Sequence, residues 1–396
     1  MPLVTILGGG ASGITTGLTL QLLGYRTRII SAQFPEHPEN ERDDDPLFAS
    51  LYPAASIIPH SVRNERMDIL YQDSHQVFRQ LHESGIDIIR QNRHYEWFRF
   101  PVSDPVYREW MKNFNPINSS ENLTGELFDS DADQVHGWFF NCYFVDWPRY
   151  VQWLYEQYQA AGGKLERRKV TAGNVTSLDS SLVVNCTGAY SRELFEDPED
   201  FCFMLGKTLV VEDAPDPNEL DSIISYNYTP GSEIYSHSSG KAIDVYLYPR
   251  KSGWVLGGSR LHGHLDSKGR WLGEQWTGRM LSIDQQQVPA PIYEINRDLI
   301  QKLYDIDIAD YTLRAKSGYR FMRDSQTEGI RLEATREYGK YIFHNYGHGG
   351  GGITLSWGCA LQVARMMRNY KRPSSGNTLQ DNNFLINIKS GLKKLF

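Results

Sequence analysis

Three glycines near the start of the chain have the spacing Gly8-x-Gly10-x-x-Gly13. An apolar run at residues 3–7 precedes them and predicts a strand, and apolar residues at helical spacing follow them. In this context the first glycine permits a tight turn, the second lets the backbone approach a pyrophosphate, and the third lets helix and strand pack closely. Because the helix start also favours an anion, the pattern predicts a dinucleotide-binding turn.

One common partner of this motif is missing. An acidic residue about 20 positions further on usually binds a ribose hydroxyl. Here the next predicted strand, at residues 26–31, is followed by Ala32 and Gln33, and no acidic residue comes before Glu36. On this motif alone, a glycine turn that binds no ligand stays open.

A second glycine-rich segment lies between a predicted strand at 338–344 and a predicted helix at about 354–368. Its sequence is His344-Asn345-Tyr346-Gly347-His348-Gly349-Gly350-Gly351-Gly352-Ile353-Thr354. Glycines at such a corner favour a flat ligand that lies against the backbone. The two histidines could ligate a metal, but hydrogen-bonded histidines in a strand-to-helix corner are the favoured interpretation, and we predict no metal site.

The elements that position these glycines alternate near both ends of the chain. Strand, helix and strand signals over residues 3–31 predict a βαβ unit, and an apolar run at 182–185 predicts a further buried strand. The segments 203–211 and 243–260 are rich in strand signals, with the alternation typical of strands within the second. Residues 36–46 predict a charged, Pro-containing loop, and the polar residues 114–133 predict an exposed excursion. The tail from 371 onwards is polar and poorly patterned.

These signals predict an α/β fold with a Rossmann-like nucleotide-binding domain and a second mixed, mainly antiparallel β-sheet domain that binds substrate. We assign residues 1–60, 140–200 and 335–370 to the first domain, 61–139 and 201–334 to the second, and 371–396 to a polar tail.

The composition argues against several classes of protein. The 396 residues are 40% hydrophobic and 22% charged, which indicates a folded chain of two or three domains. The net charge of −7 argues against nucleic acid as a partner, because phosphate binding needs a basic face. The four cysteines contain no CxxC pair, so we expect reduced thiols. We expect no membrane span and no signal peptide, and therefore a cytoplasmic location.

Several separated segments share their order and spacing with a known family. They are the glycine motif at 8–13, Phe48-Ala49-Ser50 with Ala54-Ala55-Ser56, Gly137-Trp138-Phe139, Val184-Asn185-Cys186-Thr187-Gly188, Tyr246-Leu247-Tyr248-Pro249, Gly318-Tyr319-Arg320 and the glycine run followed by Trp357-Gly358-Cys359-Ala360. Together they resemble the D-amino-acid oxidase family of flavoenzymes over residues 3–368.

The resemblance implies FAD as the cofactor of the first domain. It assigns the FAD pyrophosphate to Gly8, Gly10, Ala11, Ser12 and Gly13, the adenine to the backbone of Val170, and the pyrophosphate or ribitol to Thr187 and Gly188. It assigns the isoalloxazine ring to Ala55 and Ser56, and the pyrimidine edge of that ring to Gly349, Gly350, Gly351, Gly352, Ile353 and Thr354.

The resemblance also implies oxidative deamination of a D-amino acid to the imino acid and the 2-oxo acid, with ammonia and H2O2. It implies hydride transfer from Cα to flavin N5, which needs no protein base, and O2 as the electron acceptor. Arg320 and Tyr246 match the family residues that bind the substrate carboxylate, and the Gly350 carbonyl would accept from the substrate amine. Taken alone, Arg320 fits a surface salt bridge and Tyr246 an ordinary sheet aromatic.

The chain departs from the family pattern near the expected active site. Gly351 stands where the family often has tyrosine, and the segment between Arg323 and Ile330 is longer than usual. No single tyrosine stands out as the match to the family's active-site lid tyrosine. Tyr226, Tyr228 and Tyr235 are the candidates for that role.

Several functions stay open at this point. A D-aspartate-type oxidase needs an extra cation in its pocket, for which Arg99, Arg250 and Arg260 are candidates. An imino-acid oxidase, an amine oxidase of a secondary pathway, an NAD-dependent dehydrogenase and an inactive flavin-binding protein are also compatible with the sequence. A small amino acid or amine is the expected partner, and the sequence is compatible with a homodimer.

Overall fold

The structure is a computed structural model that describes residues 2–35, 45–60, 62–117, 122–128, 134–323 and 329–370, together with Gly391. Most of the predicted charged loop at 36–46 lies outside the described residues. So do residues 324–328 and, apart from Gly391, the predicted polar tail. Among the described helices, none is both long enough and apolar enough to cross a membrane.

The described residues form 18 strands and eight α-helices, linked by loops and short 3-10 turns. The strands are β1 (Leu3–Leu7), β2 (Arg26–Ser31), β3 (Ile89–Phe98), β4 (Lys112–Pro116), β5 (His136–Val145), β6 (Lys164–Arg167), β7 (Leu182–Asn185), β8 (Phe201–Val211), β9 (Ile224–Thr229), β10 (Val245–Tyr248), β11 (Trp254–Gly257), β12 (Leu261–Leu265), β13 (Trp271–Gly273), β14 (Met280–Ile283), β15 (Gln286–Pro289), β16 (Leu313–Arg323), β17 (Ala334–Glu337) and β18 (Lys340–His344). The helices are α1 (Ala11–Leu22), α2 (Met67–Glu83), α3 (Asn122–Phe128), α4 (Trp147–Ala160), α5 (Ala172–Val175), α6 (Ser191–Leu194), α7 (Ala290–Tyr304) and α8 (Ser356–Tyr370).

The first sheet has six strands in the order β17-β18-β7-β1-β2-β6. Neighbouring strands run parallel except at one edge, where β17 pairs antiparallel with β18. The apolar runs of β1 and β7 are buried along almost their whole length, as expected for central strands that are covered on both faces. Helix α1 connects β1 to β2 and packs against α4 and α8. This arrangement confirms the predicted Rossmann-like sheet.

The second sheet has ten strands. Nine follow the order β13-β12-β8-β11-β10-β9-β3-β5-β4, and β16 pairs along the whole length of β8. The pairs are antiparallel, apart from the parallel pair of β3 and β9. The second predicted sheet, mixed and mainly antiparallel, is therefore confirmed.

Register in the second sheet brings residues from distant parts of the chain to one surface. A row of paired residues crosses the sheet from β5 to β16: Trp138, Glu96, Asn227, Tyr246, Gly257, Thr208 and Lys316. Paired residues of neighbouring strands point to the same face. Arg320 lies four residues after Lys316 in β16 and so shares that face.

Two apolar cores support the two sheets. One includes Ile6, Leu18 and Trp357, lies between the first sheet and its helices, and continues to Phe140 and Tyr248 of the second sheet. The other includes Leu209 and Ile292 and lies between the second sheet and α7. The first sheet draws its strands from residues 3–31, 164–185 and 334–344. The division of the chain into domains by residue ranges stays a prediction.

The prediction that residues 114–133 form an exposed excursion is wrong in part: Asn115, Pro116 and Glu126 are exposed, but other described residues of this range pack onto the second sheet. Strand β4 and helix α3 lie within or across this range. The Phe114 ring lies 5.9 Å from that of Trp138 and 6.1 Å from that of Phe140, and Leu127 is buried. Because these apolar side chains pack onto the second sheet, the segment folds despite its many polar residues.

Candidate active site

A cavity of about 1130 Å³ lies between the two sheets. Ligand pockets commonly measure ~300–1,000 Å³, so this one has room for a large cofactor and a small substrate. Fifteen of the eighteen predicted site residues line it: Gly8, Gly10, Ala11, Ser12, Ala55, Ser56, Val170, Thr187, Gly188, Tyr246, Arg320, Gly349, Gly350, Gly352 and Ile353. The remaining three, Gly13, Gly351 and Thr354, are buried directly behind its wall.

The first part of the wall is the turn between β1 and α1. Gly8 has a φ of +98°, which the turn requires and which side chains disfavour. Gly13 packs α1 onto this turn, because a Cβ at Gly13 would overlap the carbonyl oxygen of Gly8. Gly10 caps α1 without a side-chain hydrogen bond, and the first helical turn has no acidic residue. The helix start can therefore face an anion.

The C-terminal glycine run forms the neighbouring wall. A Cβ at Gly351 would lie 2.8 Å from a Val62 methyl group, so this glycine fills space behind the wall. The Thr354 hydroxyl donates to the Ser56 carbonyl oxygen at 3.1 Å. Ala55 has a φ of +66°, and its carbonyl oxygen accepts from the Val145 N–H at 3.0 Å. These bonds hold residues 55–58 between β5 and the glycine run. We call the surface of Gly8, Gly10, Gly349, Gly350 and Gly352 the glycine wall.

Both histidines of the glycine run have structural partners. His348 Nδ1 lies 3.3 Å from the Ser12 hydroxyl, and His348 Nε2 lies 2.9 Å from Asn345 Oδ1. Burial lowers the pKa of His348 to about 4, so its imidazole is neutral at pH 7. His344 lies 3.1 Å from the Asn185 amide. In the described part of the chain, no group of three or more potential metal ligands comes together.

Thr187, Gly188 and Val170 line another part of the cavity. The Thr187 hydroxyl donates to Asn185 Oδ1 at 2.7 Å, which fixes the turn after β7. Val170 is half-buried and packs against the apolar cluster beside β7. Gln33, Arg168 and Lys169 also line the cavity. No acidic residue directly follows β2, where one commonly binds a ribose hydroxyl. At this place in the cavity the chain has the polar side chain of Gln33 instead.

Tyr246 and Arg320 line the side of the cavity formed by the second sheet. Each lies over a glycine of a neighbouring strand. A Cβ at Gly257 would overlap the Tyr246 ring, and a Cβ at Gly206 would lie 2.6 Å from the Arg320 guanidinium. The Tyr246 ring also stacks on that of Tyr248, with 4.7 Å between ring centroids. Gly206 and Gly257 thus fix the height of the two functional side chains above the sheet.

The electrostatics of this side are set by burial and by two guanidinium groups. Burial raises the pKa of the Tyr246 hydroxyl above its ordinary value, although Arg320 and Arg260 act against this rise. Tyr246 therefore stays a hydrogen-bond donor. Burial, together with Arg260, lowers the pKa of His60 to about 4. His60 is neutral at pH 7, and its Nδ1 is buried without a hydrogen-bond partner.

On this side, the sequence offers Arg260 as a candidate cation but predicts neither its pairing with Asp244 nor the position of His60. Arg260 and Asp244 line the cavity as an ion pair with an N–O distance of 2.9 Å, and His60 lies in the same wall. We call the surface of Tyr246, Arg320, Arg260, Asp244 and His60 the polar wall.

Behind the polar wall lies a buried chain of polar groups. The Tyr248 hydroxyl donates to Asn227 Oδ1 at 2.7 Å, and the Asn227 amide donates to Glu96 Oε1 at 2.9 Å. His94 Nε2 lies 3.2 Å from the same oxygen. One pattern in the sequence could have indicated this buried chain. His94 and Glu96 are two polar residues at i and i+2, so they point to one face of a strand that also carries aromatic residues.

The candidate lid tyrosines do not line the cavity. Tyr226 donates to Asn296 Oδ1 at 2.7 Å, Tyr235 donates to the Gly258 carbonyl oxygen, and Tyr228 is buried in the second core. In that region of the chain the lining residues are His237, Ser239, Lys241, Ala242, Ile243 and Asp244. Of the three candidate arginines, Arg260 lines the cavity, whereas Arg250 and Arg99 do not.

Comparisons with known proteins agree with this architecture. The model of the family described as FAD dependent oxidoreductase (DAO) matches residues 4–366. A D-amino-acid oxidase from Rubrobacter xylanophilus is 26% identical over 365 residues, which cover 91% of this chain and 94% of that protein. A D-aspartate oxidase from Talaromyces thermophilus is 25% identical over 394 residues, which cover 92% and 95%.

Solved structures show the same fold. The glycine oxidase from Geobacillus kaustophilus has a TM-score of 0.59 to this chain and 17% sequence identity. The alignment covers 97% of this chain and 98% of that one.

Proposed function

Because this chain belongs to the DAO family of FAD-dependent oxidoreductases, we propose that it is a D-amino-acid oxidase. It would convert a D-amino acid, O2 and water into a 2-oxo acid, ammonia and H2O2. The substrate loses a hydride from Cα and a proton from nitrogen, water replaces the nitrogen of the resulting imine, and O2 takes up the two electrons and two protons. The observation that carries the proposal is that Arg320 and Tyr246 line the same cavity as the glycine wall.

Membership of this family confirms the predicted FAD cofactor and oxidoreductase class. It therefore argues against the alternative of an NAD-dependent dehydrogenase. The glycine wall fits this cofactor, because α1 starts without an acidic residue or a side-chain cap, and Gly8 and Gly13 leave no room for side chains. The residues that would hold FAD are Gly8, Gly10, Ala11, Ser12, Ala55, Ser56, Val170, Thr187, Gly188, Gly349, Gly352 and Ile353. When bound, FAD supplies the acceptor for the two electrons.

Arg320 and Tyr246 would bind the substrate carboxylate. A guanidinium presents two parallel N–H groups to a carboxylate, and the protonated Tyr246 hydroxyl adds a third donor. Gly206 and Gly257 support this role, because they let both side chains lie flat on the sheet rather than project across the cavity. A carboxylate fixed in this way holds Cα in one orientation, and such alignment contributes on the order of 7–11 kcal/mol to catalysis.

The substrate amine would bind between the two walls. Gly350 is exposed and lines the cavity, so its carbonyl oxygen is available to accept from an N–H group. His60 has a pKa of about 4 and is a weak base. We therefore expect the amine to bind in its neutral form, after it has lost its extra proton to solvent.

The proposal is tested by anaerobic absorbance spectroscopy of the purified holoenzyme with D- and L-amino acids. Bleaching of the flavin band by a D-amino acid, reversed by air, is the expected result. Bleaching that air does not reverse would instead indicate a dehydrogenase. A flavin that no D-amino acid reduces, while an L-amino acid or an N-alkyl amine does, would overturn the proposed substrate class.

Arg260 favours a second candidate function. It is another cation in the cavity besides Arg320, and a D-aspartate-type oxidase needs such a group for the side-chain carboxylate. Its guanidinium is, however, already paired with Asp244. Comparison of D-aspartate with D-alanine as substrates separates the two functions.

A further inference from the structure

The ion pair in the polar wall takes no part in the proposed binding of the substrate carboxylate. Asp244 directly precedes β10, and Arg260 directly precedes β12. Their side chains meet at 2.9 Å, and both line the cavity. The Asp244 side chain is 13% exposed and that of Arg260 is 35% exposed. A ligand in the cavity can therefore reach both members of the pair.

The backbone holds the pair in place. A Cβ at Gly258 would lie 2.8 Å from the Val245 Cα, so the turn before Arg260 packs closely against the segment that carries Asp244. Burial lowers the pKa of Arg260, but the Asp244 carboxylate acts together with Glu96, Tyr248 and Tyr246 to raise it above its ordinary value, so the guanidinium stays charged. Both charges are thus fixed at one point of the wall before any ligand binds.

This pair disfavours charged substrate side chains of either sign. A carboxylate attracted by Arg260 meets the Asp244 carboxylate, and an ammonium group attracted by Asp244 meets Arg260. A carboxamide fits both, because its C=O accepts from a guanidinium and its NH2 donates to a carboxylate. We propose that Asp244 is a specificity-determining residue that, together with Arg260, selects D-amino acids with a carboxamide side chain over acidic ones. This inference rests on the proposed function.

Two other charged groups near the pair, Arg320 and Glu96, have roles of their own. Arg320 is assigned to the α-carboxylate of the substrate. Glu96 does not line the cavity, and its carboxylate accepts from Asn227 and lies beside His94. Arg260 and Asp244 therefore remain as an adjacent donor and acceptor for the side chain of the substrate.

The test uses the holoenzyme and its Asp244→Asn variant, with kcat/KM measured for D-asparagine, D-aspartate and D-alanine. The variant removes the negative charge while it keeps the size of the side chain. We expect the ratio of D-aspartate to D-asparagine efficiency to rise about ten- to hundredfold, because Arg260 becomes free for a carboxylate. D-alanine, which has no polar side-chain group, should change little.

Asp266→Asn is the matched control. Asp266 pairs with Arg270 at 2.7 Å outside the cavity, so the same substitution there should leave the ratio unchanged. Arg260→Gln is the reciprocal variant, and it leaves Asp244 without its counter-ion. It should raise the efficiency with D-lysine relative to D-asparagine, and it tests the pair even where Asp244→Asn folds poorly.

Binding of amine-free analogues gives a readout that does not depend on turnover. By calorimetry, the wild-type holoenzyme should bind succinamate more tightly than succinate, and Asp244→Asn should reverse that order. An unchanged order in the variant, together with normal D-alanine oxidation, would overturn the role of Asp244. If no D-amino acid is oxidised but the order reverses, the proposed function fails and the assigned pair stands.

Discussion

The glycine wall and the polar wall face the same cavity but are built in different ways. The glycine wall consists mainly of backbone from two continuous segments, each between a strand and a helix. The polar wall consists of side chains from the loop after residue 55, from the starts of β10 and β12, and from β16. The backbone at Gly8 and Gly10 leaves no room for added side chains, whereas a side-chain surface can change one residue at a time. Substitutions in the two walls should therefore fail in different ways.

The largest effect is expected from Gly13→Ala in the support of the glycine wall. A Cβ at this position would overlap the carbonyl oxygen of Gly8, so α1 must move away from the turn. We expect loss of bound FAD and of all turnover, together with a lower unfolding temperature. Flavin content after gel filtration and thermal unfolding measure both. Gly125→Ala is the control, because a Cβ at Gly125 meets no atom within 4 Å.

Arg320→Ala should lower turnover but, unlike Gly13→Ala, should leave FAD bound. Removing a guanidinium that binds a carboxylate commonly costs about 2–5 kcal/mol, which corresponds to roughly 30- to 5,000-fold in kcat/KM. FAD content should stay at the wild-type level, because Arg320 belongs to the polar wall. Steady-state kinetics and flavin content test this, with Arg270→Ala as a surface control. Wild-type turnover of D-amino acids by Arg320→Ala would refute the assignment.

Asp197→Asn should weaken the connection between the walls. The Asp197 carboxylate is fully buried, pairs with Arg323 of β16 at 3.0 Å and accepts from the Tyr346 hydroxyl at 2.6 Å. Breaking a buried pair costs about 3–5 kcal/mol. We expect that loss in the free energy of unfolding at pH 7, measured by chemical denaturation. Asp307→Asn, at a more exposed pair with Arg297, should cost far less.

The pH dependence of the same variant gives a second check. Burial raises the pKa of Asp197, but hydrogen bonds from Arg323 and Tyr346 more than offset it, so the pKa lies below its ordinary value. The stabilisation is therefore complete above the unfolded-state pKa of about 3.9 and is lost as pH falls through the folded-state pKa. The difference between wild type and Asp197→Asn should narrow below about pH 4. A constant difference from pH 3 to pH 7 would contradict this role.

The smallest of these effects is expected from Tyr246→Phe. The variant removes one neutral donor and keeps the stacked ring, which should lower kcat/KM about tenfold. Because the pKa of Tyr246 is raised, its hydroxyl stays protonated through the neutral range, and the ratio of wild-type to variant rates should not change between pH 6 and pH 9. Rapid-reaction measurements of flavin reduction test both points. Tyr226→Phe, outside the cavity, should change stability but not kcat/KM.

The glycine wall could be predicted from the sequence because its information is local. A strand, three spaced glycines and a helix define the turn at Gly8, whatever the rest of the chain does. The same holds for the run at 349–352. A local pattern does not distinguish residues that line the cavity from residues that pack behind them. Gly13, Gly351 and Thr354 were predicted to contact the cofactor, but they lie behind the wall.

The polar wall could be predicted only through family resemblance, which pointed to Arg320 and Tyr246. Its other features depend on pairing between strands far apart in the chain. Gly206 and Gly257 become meaningful once register places them beneath Arg320 and Tyr246. Asp244 and Arg260 are 16 residues apart, and their pairing depends on the order of β12, β8, β11 and β10 in the sheet. Periodicity within one strand contains none of this information.

The row of paired residues across the second sheet has an evolutionary consequence. Seven strands of the second sheet contribute one residue each to that row. Of these residues, Thr208, Tyr246 and Lys316 line the cavity, and they lie outside the two glycine segments. A lineage can therefore explore new substrates by single exchanges in the second sheet while its redox chemistry stays intact. We expect selection for a different amino-acid substrate to change residues of the second sheet before residues of the two glycine segments.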